Sequence, residues 1–364
     1  MLERKAWTRI LIGTVGLLFT AGQTRGDLDY QFIDLGALYS TGNSFGLGVN
    51  NLGQATGRSE SYNGWRTFLY SNGVMQNLGD MGLGADSAFH GQAINEQAHI
   101  VGWATDYSPM SPSAAYIYRG PDDYEFLGSL DGDTTMAEDI NDFDQVVGRS
   151  LVGMEMQAFL WENGVMTDLG TLGGQNSYAT AINNAGQIVG YSDSNPIEGV
   201  EHRQAFIRED GVMRCLVPDG GYSAAHDINE SGVVVGQAVL STSYAAFRWS
   251  EEEGMVELPG KPNGWHSAEA VNNLGQVVGY DLFSNHALTW IDGELIDLAE
   301  LVADTGWLLT QAYDVNDSGW ITGTGGNPDG FTHAYMMRLP EPGTITMLML
   351  GLMVGGSTYR RKHR

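Results

Sequence analysis

Short apolar or alternating runs, bounded by turn residues, recur along almost the whole chain. The clearest is Ile182-Asn183-Asn184-Ala185-Gly186-Gln187-Ile188-Val189-Gly190. Its asparagine has counterparts at 50, 95, 141, 183, 229, 272 and 316, spaced by 45, 46, 42, 46, 43 and 44 residues. A glycine stands seven positions after each one: Gly57, Gly102, Gly148, Gly190, Gly236, Gly279 and Gly323. Chance does not produce seven such pairs. A second run, Gln157-Ala158-Phe159-Leu160-Trp161, has relatives at Thr67-Phe68, Ala115-Tyr116, Ala205-Phe206, Ala246-Phe247, Ala287-Leu288 and Ala334-Tyr335. A third ends in Asp168-Leu169-Gly170, with relatives closing at Leu35-Gly36, Leu78-Gly79 and Leu127-Gly128. Each run has the length and patterning of a strand. Four strands per unit are expected: the Ala-Phe run, the run ending in Asp-Leu-Gly, the run ending in Ile-Asn, and the Gln-Ile-Val-Gly run.

Each asparagine is expected in a tight hairpin. Its side chain can bond backbone groups two residues on, and a glycine three positions after it accepts φ > 0. That glycine is present at 53, 186, 232, 275 and 319. The third copy has Asp144, which tolerates the left-handed region. The second has Ala98, which does not, so its turn is expected to be different or strained. Four-stranded units of about 44 residues point to an all-β fold, a seven-bladed β-propeller with one blade per unit. An open β-solenoid of stacked units is the rival, although solenoid units are usually shorter. The phase supports closure. The first unit starts at Tyr30-Gln31-Phe32-Ile33-Asp34-Leu35-Gly36 without its own Ala-Phe strand, and the last is followed by an extra one, His333-Ala334-Tyr335-Met336-Met337. The C-terminal strand can complete the N-terminal blade and leave no free edge. The phase alone does not say which strand lines the central channel.

The two ends depart from the repeat. Residues 1–26 read as a secretory signal: Arg4, Lys5 and Arg9, an apolar stretch from Ile10 to Thr20, then small residues at Ala21 and Gly22. The stretch is about 11 residues, short for a bilayer span; a permanent N-terminal anchor is the alternative. Cleavage is expected between Ala21 and Gly26. Residues 340–364 run Pro340-Glu341-Pro342-Gly343, an apolar segment, then Arg360, Arg361, Lys362, His363 and Arg364. The apolar segment is about 16 residues, a marginal membrane-spanning helix with a positive flank, which on its own means a C-terminal anchor. The three-part order resembles the PEP-CTERM sorting signal of Gram-negative bacteria, with Pro340, Glu341 and Pro342 matching the motif. That resemblance implies recognition by an exosortase-type membrane enzyme, cleavage near the motif, and release or attachment at the cell surface. Either reading exports residues 27–339 through the inner membrane.

Composition then narrows the partners. The 364 residues carry 18 Lys+Arg against 44 Asp+Glu, a formal charge of −26. Between the two ends 10 basic and 42 acidic residues remain, a formal charge of −32, and Lys261 is the only lysine there. Nucleic acid is excluded as a partner, because neutralising phosphates takes Lys and Arg. Such a body repels anionic polymers and favours cations and solubility. Cys215 is the only cysteine, so there is no intrachain disulfide and no cysteine-based zinc site.

The repeat also resembles the extracellular HAF repeats. His286-Ala287-Leu288 and His333-Ala334-Tyr335 match, Gln157-Ala158-Phe159 and Gln204-Ala205-Phe206 are close variants, and Arg66-Thr67-Phe68, Ala114-Ala115-Tyr116 and Ala245-Ala246-Phe247 depart further. The resemblance covers nearly all of residues 30–337. It implies a secreted repeat protein of no established activity.

Adjacent strands of a blade run antiparallel, so connections alternate between the two faces of the disc. Short ones, such as Glu162-Asn163-Gly164 and Asn184-Ala185-Gly186, share one face; the long, variable ones share the other. Variable loops on a rigid scaffold are where function usually sits. One long connection carries an aromatic residue in most copies: Phe45, Phe89, Tyr178, Tyr222, Trp265 and Trp307, with Met136 in the third copy. Trp65 and Trp103 lie beside the other long connection. Exposed rings there would stack on sugar rings, whereas packed between blades they would form a rim of the core. The candidate ligand-binding residues are Trp65, Phe89, Tyr178, Tyr222, Trp265 and Trp307. Trp65 and Trp307 are expected to be the most exposed, because Gly64 and Gly306 precede them.

His90, His226 and His266 lie near the same face, one per copy, and are expected to be turn or surface residues. The body holds no His-Glu-x-x-His and no phosphate loop, and its one Gly-x-Ser-x-Gly, Gly42-Asn43-Ser44-Phe45-Gly46, has no helix pattern after it. No catalytic residue, metal or cofactor is assigned. Calcium could use the oxygens of Asp131 with Asp133, or of Asp142 with Asp144, but the full twelve-residue loop pattern is absent. The expected role is non-catalytic: an exported surface or extracellular-matrix protein that binds polysaccharide or another envelope component through its long-connection face. A protein–protein scaffold is the first alternative. A polysaccharide-active hydrolase or lyase using carboxylates from distant blades is the second.

Overall fold

The computed structural model describes residues 18–19, 30–84, 86–106, 112–132, 134–194, 203–217, 221–240, 243–262 and 264–340. Seven antiparallel sheets stand around one ring, one for each sequence unit, as a seven-bladed β-propeller. Blade 1 shows the pattern: Ser44–Val49, Ala55–Ser61, Gly64–Ser71 and Val74–Asn77, in that order across the sheet. Blades 2 to 7 repeat it with inner strands Ser87–Ile94, Thr135–Ile140, Gly173–Ile182, Ser223–Ile228, His266–Val271 and Leu308–Val315. The inner strand is the one that leads into the repeated asparagine, and each packs against its counterparts in the two neighbouring blades. The ring closes as the phase implied. Gln31–Gly36 pairs with Thr332–Arg338, Phe32 opposite Met337 and Asp34 opposite Tyr335, so the seventh blade takes its outer strand from the other end of the chain. Leu18–Phe19 lies antiparallel against Ile33 and Phe32. The rest of the predicted export segment, and residues 341–364 of the predicted sorting tail, lie outside the described residues.

The core is divided into seven clusters rather than gathered at one centre. Each cluster joins the facing sides of two blades. One sets Val147, Ala158 and Leu169 of blade 3 against Ala179, Ile182 and Phe206 of blade 4. Phe159 and Phe206, the aromatic residues of the Ala-Phe runs, are fully buried. Burying one such ring is worth about 2–3 kcal/mol. The blade 6 to blade 7 connection breaks the all-β pattern. It holds a one-turn helix, Leu298–Leu301, and a 3-10 turn, Ala303–Thr305; Asp297 caps the helix by accepting from the Glu300 amide at 3.1 Å.

The repeated asparagines hold the ring together. In blade 4, Asn183 Oδ1 accepts from the Gln187 amide (3.0 Å), which shapes its own turn. Its Nδ2 donates to the carbonyl of Asn229 in the next blade (3.1 Å). The same donation passes from each blade to the next, and Asn316 returns it to Asn50, at 2.7–3.2 Å. The residues that follow make a second closed circuit. The amides of Asn51, Glu96, Asp142, Asn184, Glu230, Asn273 and Asp317 each donate to the side-chain oxygen of the next member, at 2.7–3.2 Å. Asp142 is therefore a structural acceptor rather than a loose loop acid. Asp144 is held by His99 (2.7 Å) and Arg119 (3.2 Å).

The glycine seven positions on has a steric reason. Each inner strand carries a bulge, between Ala179 and Ala181 in blade 4, and the carbonyl of Tyr178 lies against Gly190. A Cβ on Gly190 would meet that oxygen at 1.9 Å; the matching distance at all seven glycines is 1.8–2.1 Å. Ala98 keeps the common turn, donating to the Asn95 carbonyl at 3.0 Å, and adopts φ 62° to do so. Of the two outcomes expected for this turn, strain is the one observed.

Candidate functional site on the long-connection face

Sheet register decides which side chains gather toward the long connections. In every blade the fifth residue before the asparagine pairs across the sheet with the residue that follows the repeated glycine. These pairs include Phe45 with Arg58, His90 with Trp103, Met136 with Arg149, and Tyr178 with Tyr191. Aromatic and arginine side chains are concentrated at these positions.

Tyr178 and Tyr191 open an arc of rings that runs across blades 4 to 6. Tyr178 stacks on Tyr191 with ring centres 4.6 Å apart. The Arg203 guanidinium lies 4.5 Å over Tyr191 and 5.6 Å over Tyr222. Tyr222 meets Tyr244 at 5.3 Å, Tyr244 meets Trp265 at 5.3 Å, and Trp265 meets Phe283 at 5.5 Å. The tyrosines are half-buried, while Trp265 is 41% and Phe283 70% exposed. A smaller cluster occupies blades 1 and 2. There Arg58 sits 4.7 Å over Phe45 and 5.4 Å over Trp65, and donates to His90 Nδ1 (2.9 Å). His90 in turn stacks on Trp103 at 3.8 Å. Burial, with the adjacent Arg58 charge, pushes His90 down to about 3, so it accepts as a neutral ring.

Four of the six candidate residues, Trp65, Tyr178, Tyr222 and Trp265, belong to these clusters. The other two are core residues. Phe89 is 0% exposed, with its ring 5.8 Å from Tyr116 and under the Arg66 guanidinium. It stands one register position from Tyr178's equivalent, His90, and so faces between the blades. Trp307 is 5% exposed, contrary to the expectation from Gly306. The helical connection supplies Leu298 and Val302 to the same cluster, and the indole packs edge-on to Phe32 at 5.0 Å. Trp65 is half-buried, so Trp265 is the most exposed of the six. The sequence reading missed Tyr191, Tyr244, Phe283 and Arg203. Tyr191 had a signal, since it follows a repeated glycine.

The channel wall holds ionisable groups of its own. Asp139, Asp227 and Asp314 stand two residues before the asparagines of blades 3, 5 and 7. Each accepts from two amides, one in its own strand and one in the next blade: Ile140 and Ile182, Ile228 and Val271, Val315 and Val49, all at 2.7–2.8 Å. The three carboxylates thus serve six of the seven equivalent amides, and Ile94 is the seventh. Burial pushes Asp139 up to about 8, Asp227 to about 6 and Asp314 to about 7. The amide bonds oppose that rise, and mutual repulsion adds to it at Asp139 and Asp314.

Near them His226 Nδ1 faces Ala268 O (3.0 Å), Ser267 Oγ (3.3 Å) and Glu269 (3.4 Å). All three crowd one ring nitrogen, and Ser267 has Glu269 within 2.5 Å, so this is not a nucleophile–base relay. Burial would lower His226, but the Glu269 charge outweighs it and holds the imidazole above its usual value. His90 and His266 are buried and His226 half-buried, so none is the surface residue expected. Among the described residues no group of three or more His, Cys, Asp or Glu is arranged to hold a metal ion. Asp133 lies outside them. On the opposite face a pocket of about 160 Å³ opens among Asn51, Glu230, Asn273 and Asp317, members of the second hydrogen-bond circuit.

Fold and site together define a seven-bladed propeller with an aromatic, arginine-bearing face. No protein-family model and no curated protein matches the chain. Several solved structures align with it at low identity. YCF48 bound to D1 peptide aligns over 85% of this chain and 96% of its own, at 9% identity and a TM-score of 0.49. TolB from Acinetobacter baumannii aligns over 79% and 81%, at 10% identity and 0.43. The β-propeller domain of the trilobed protease from Pyrococcus furiosus aligns over 79% and 97%, at 11% identity and 0.39.

Proposed function

We propose that the protein is an exported, non-catalytic binding propeller that holds polysaccharide along its long-connection face. The arc of six rings from Tyr178 to Phe283 carries this reading. The exposed rings of Trp265 and Phe283 offer stacking surface to sugar rings, and the half-buried tyrosines beside them lose little freedom on binding. The predicted signal and the resemblance of residues 340–364 to a PEP-CTERM signal support export, handling by an exosortase-type enzyme, and a place at the surface of a Gram-negative-type cell. The resemblance to extracellular HAF repeats points the same way. Pull-down on insoluble glycans and a glycan array test the reading. Saturable binding to one polymer class, weakened by Trp265→Ala and by Phe283→Ala without turnover of the polymer, is the expected result. Turnover would make the protein an enzyme, and silence toward every glycan would remove the reading.

A protein scaffold has one observation in its favour. Leu52, Phe143 and Leu274 stand two residues after their asparagines and are about 70% exposed on the short-connection face. Cross-linking to a single envelope protein, lost on changing these three to serine, would favour it.

A further inference from the structure

Building on the polysaccharide reading, we propose that the arc recognises an acidic polymer and that Arg203 pairs with its carboxylate groups. This runs against the formal charge of −32, which disfavours polyanions at long range. Contact chemistry differs from the long-range field. The Debye length at physiological salt is about 8 Å, so charges on distant blades are largely screened at the arc.

Among the described residues Arg58, Arg203 and Arg208 have no carboxylate partner, and of these Arg203 is the one that lies among the rings of the arc. Arg149 is paired with Glu138 at 2.7 Å, and Arg119 with Asp144 at 3.2 Å and Glu125 at 3.3 Å. Arg214, Arg248 and Lys261 are paired with Glu251, Glu253 and Asp297. No carboxylate among the described residues pairs with Arg203. Asp193 is opposite it in the sheet but is held by Asn176 at 2.8 Å. The guanidinium makes one long hydrogen bond, to Tyr222 Oη at 3.4 Å, and is otherwise fixed by the faces of Tyr178, Tyr191 and Tyr222. It is half-buried, within the row of rings rather than beside it. Ring faces orient a guanidinium without using its N–H groups, so the planar fork stays open to a carboxylate. A sugar lying along the arc beside Arg203 would bring a carboxylate on its ring edge to that fork. The polymer class this fits is a chain of uronic acids.

The test compares one backbone in two charge states. Polygalacturonate and its fully methyl-esterified form present the same sugars, with and without carboxylates. Calorimetry with the full-length protein should show polygalacturonate bound about tenfold more tightly, the worth of one hydrogen-bonded charge pair. Arg203→Gln should abolish that preference, bringing the affinity for polygalacturonate down to that for the ester. Trp265→Ala should weaken both by the same factor, separating stacking from charge. Equal affinities in the unaltered protein, or a preference that survives Arg203→Gln, would overturn the role of Arg203 and leave the polysaccharide reading standing. No binding to these or any neutral glycan would overturn both.

Discussion

The two faces of the disc are built from the same seven units and have opposite characters. On the short-connection face every unit does the same thing. Asn183 and its six counterparts pass one hydrogen bond around the ring, and the residues after them pass a second. On the long-connection face no two units agree. Blade 4 offers Tyr178 and Tyr191, blade 5 Ala224 and Gln237, blade 1 Phe45 and Arg58. Closing a ring demands identical joints, because an error at one joint accumulates around the others. The opposite face is free of that demand and can vary.

Substitutions should therefore be costly on the repeated side and harmless to stability on the variable one. Gly190→Ala should cost the most, about 4 kcal/mol or more, because the new methyl overlaps a backbone carbonyl that cannot move away; chemical denaturation would show it. Asn183→Ala removes a bond within its turn and a bond between blades, and should cost about 3 kcal/mol.

Asp139→Ala leaves the amides of Ile140 and Ile182 without their acceptor, a cost of about 2 kcal/mol. It also bears on pH. Asp139, Asp227 and Asp314 are raised from an unfolded value of about 4, so the folded chain holds protons that the unfolded chain has released. Their contribution to stability should be greatest at the acid end of the range and fall as pH rises from about 4 to about 8, while His90, held down to about 3, contributes in the opposite sense below about 6.5. Thermal unfolding across that range should show the fall, and a shallower one in the variant; a rise would contradict the raised values. Ala98→Gly relieves the strained turn and should raise stability by about 1 kcal/mol. Trp265→Ala should change stability by less than about 0.5 kcal/mol while weakening polymer binding. A large loss of stability there would mean the arc is packing.

The repeated face was legible in the chain because its chemistry is local. An asparagine, a turn glycine and a fixed spacing are visible without any neighbour. The step from Asn183 to Asn229 was not visible, since it joins residues 46 positions apart. The glycine pattern was plain, but its cause, the Tyr178 carbonyl, lies across the sheet. The variable face was harder. Phe45 and Tyr178 are equivalent in register, whereas Phe89, Tyr222, Trp265 and Trp307 stand elsewhere on the strand or before it. Unequal spacing hid those offsets, and a short helix buried Trp307. Histidines such as His90 were read as surface residues because nothing local marks a buried ring acceptor.

The number of blades has a last consequence. Three carboxylates that each span two units tile six of them, and seven is odd. Some unit must be left out, and it is blade 2, where Ala93 stands at the aspartate position and Ile94 carries the unserved amide. The tiling defect coincides with further departures from the repeat. Ala98 replaces the turn glycine there, and substitutes cross both seams of the same blade: Arg58 to His90 on one side, Gln92 to Glu138 and His99 to Asp144 on the other. Parity thus requires one unit to be joined differently, and blade 2 is that unit.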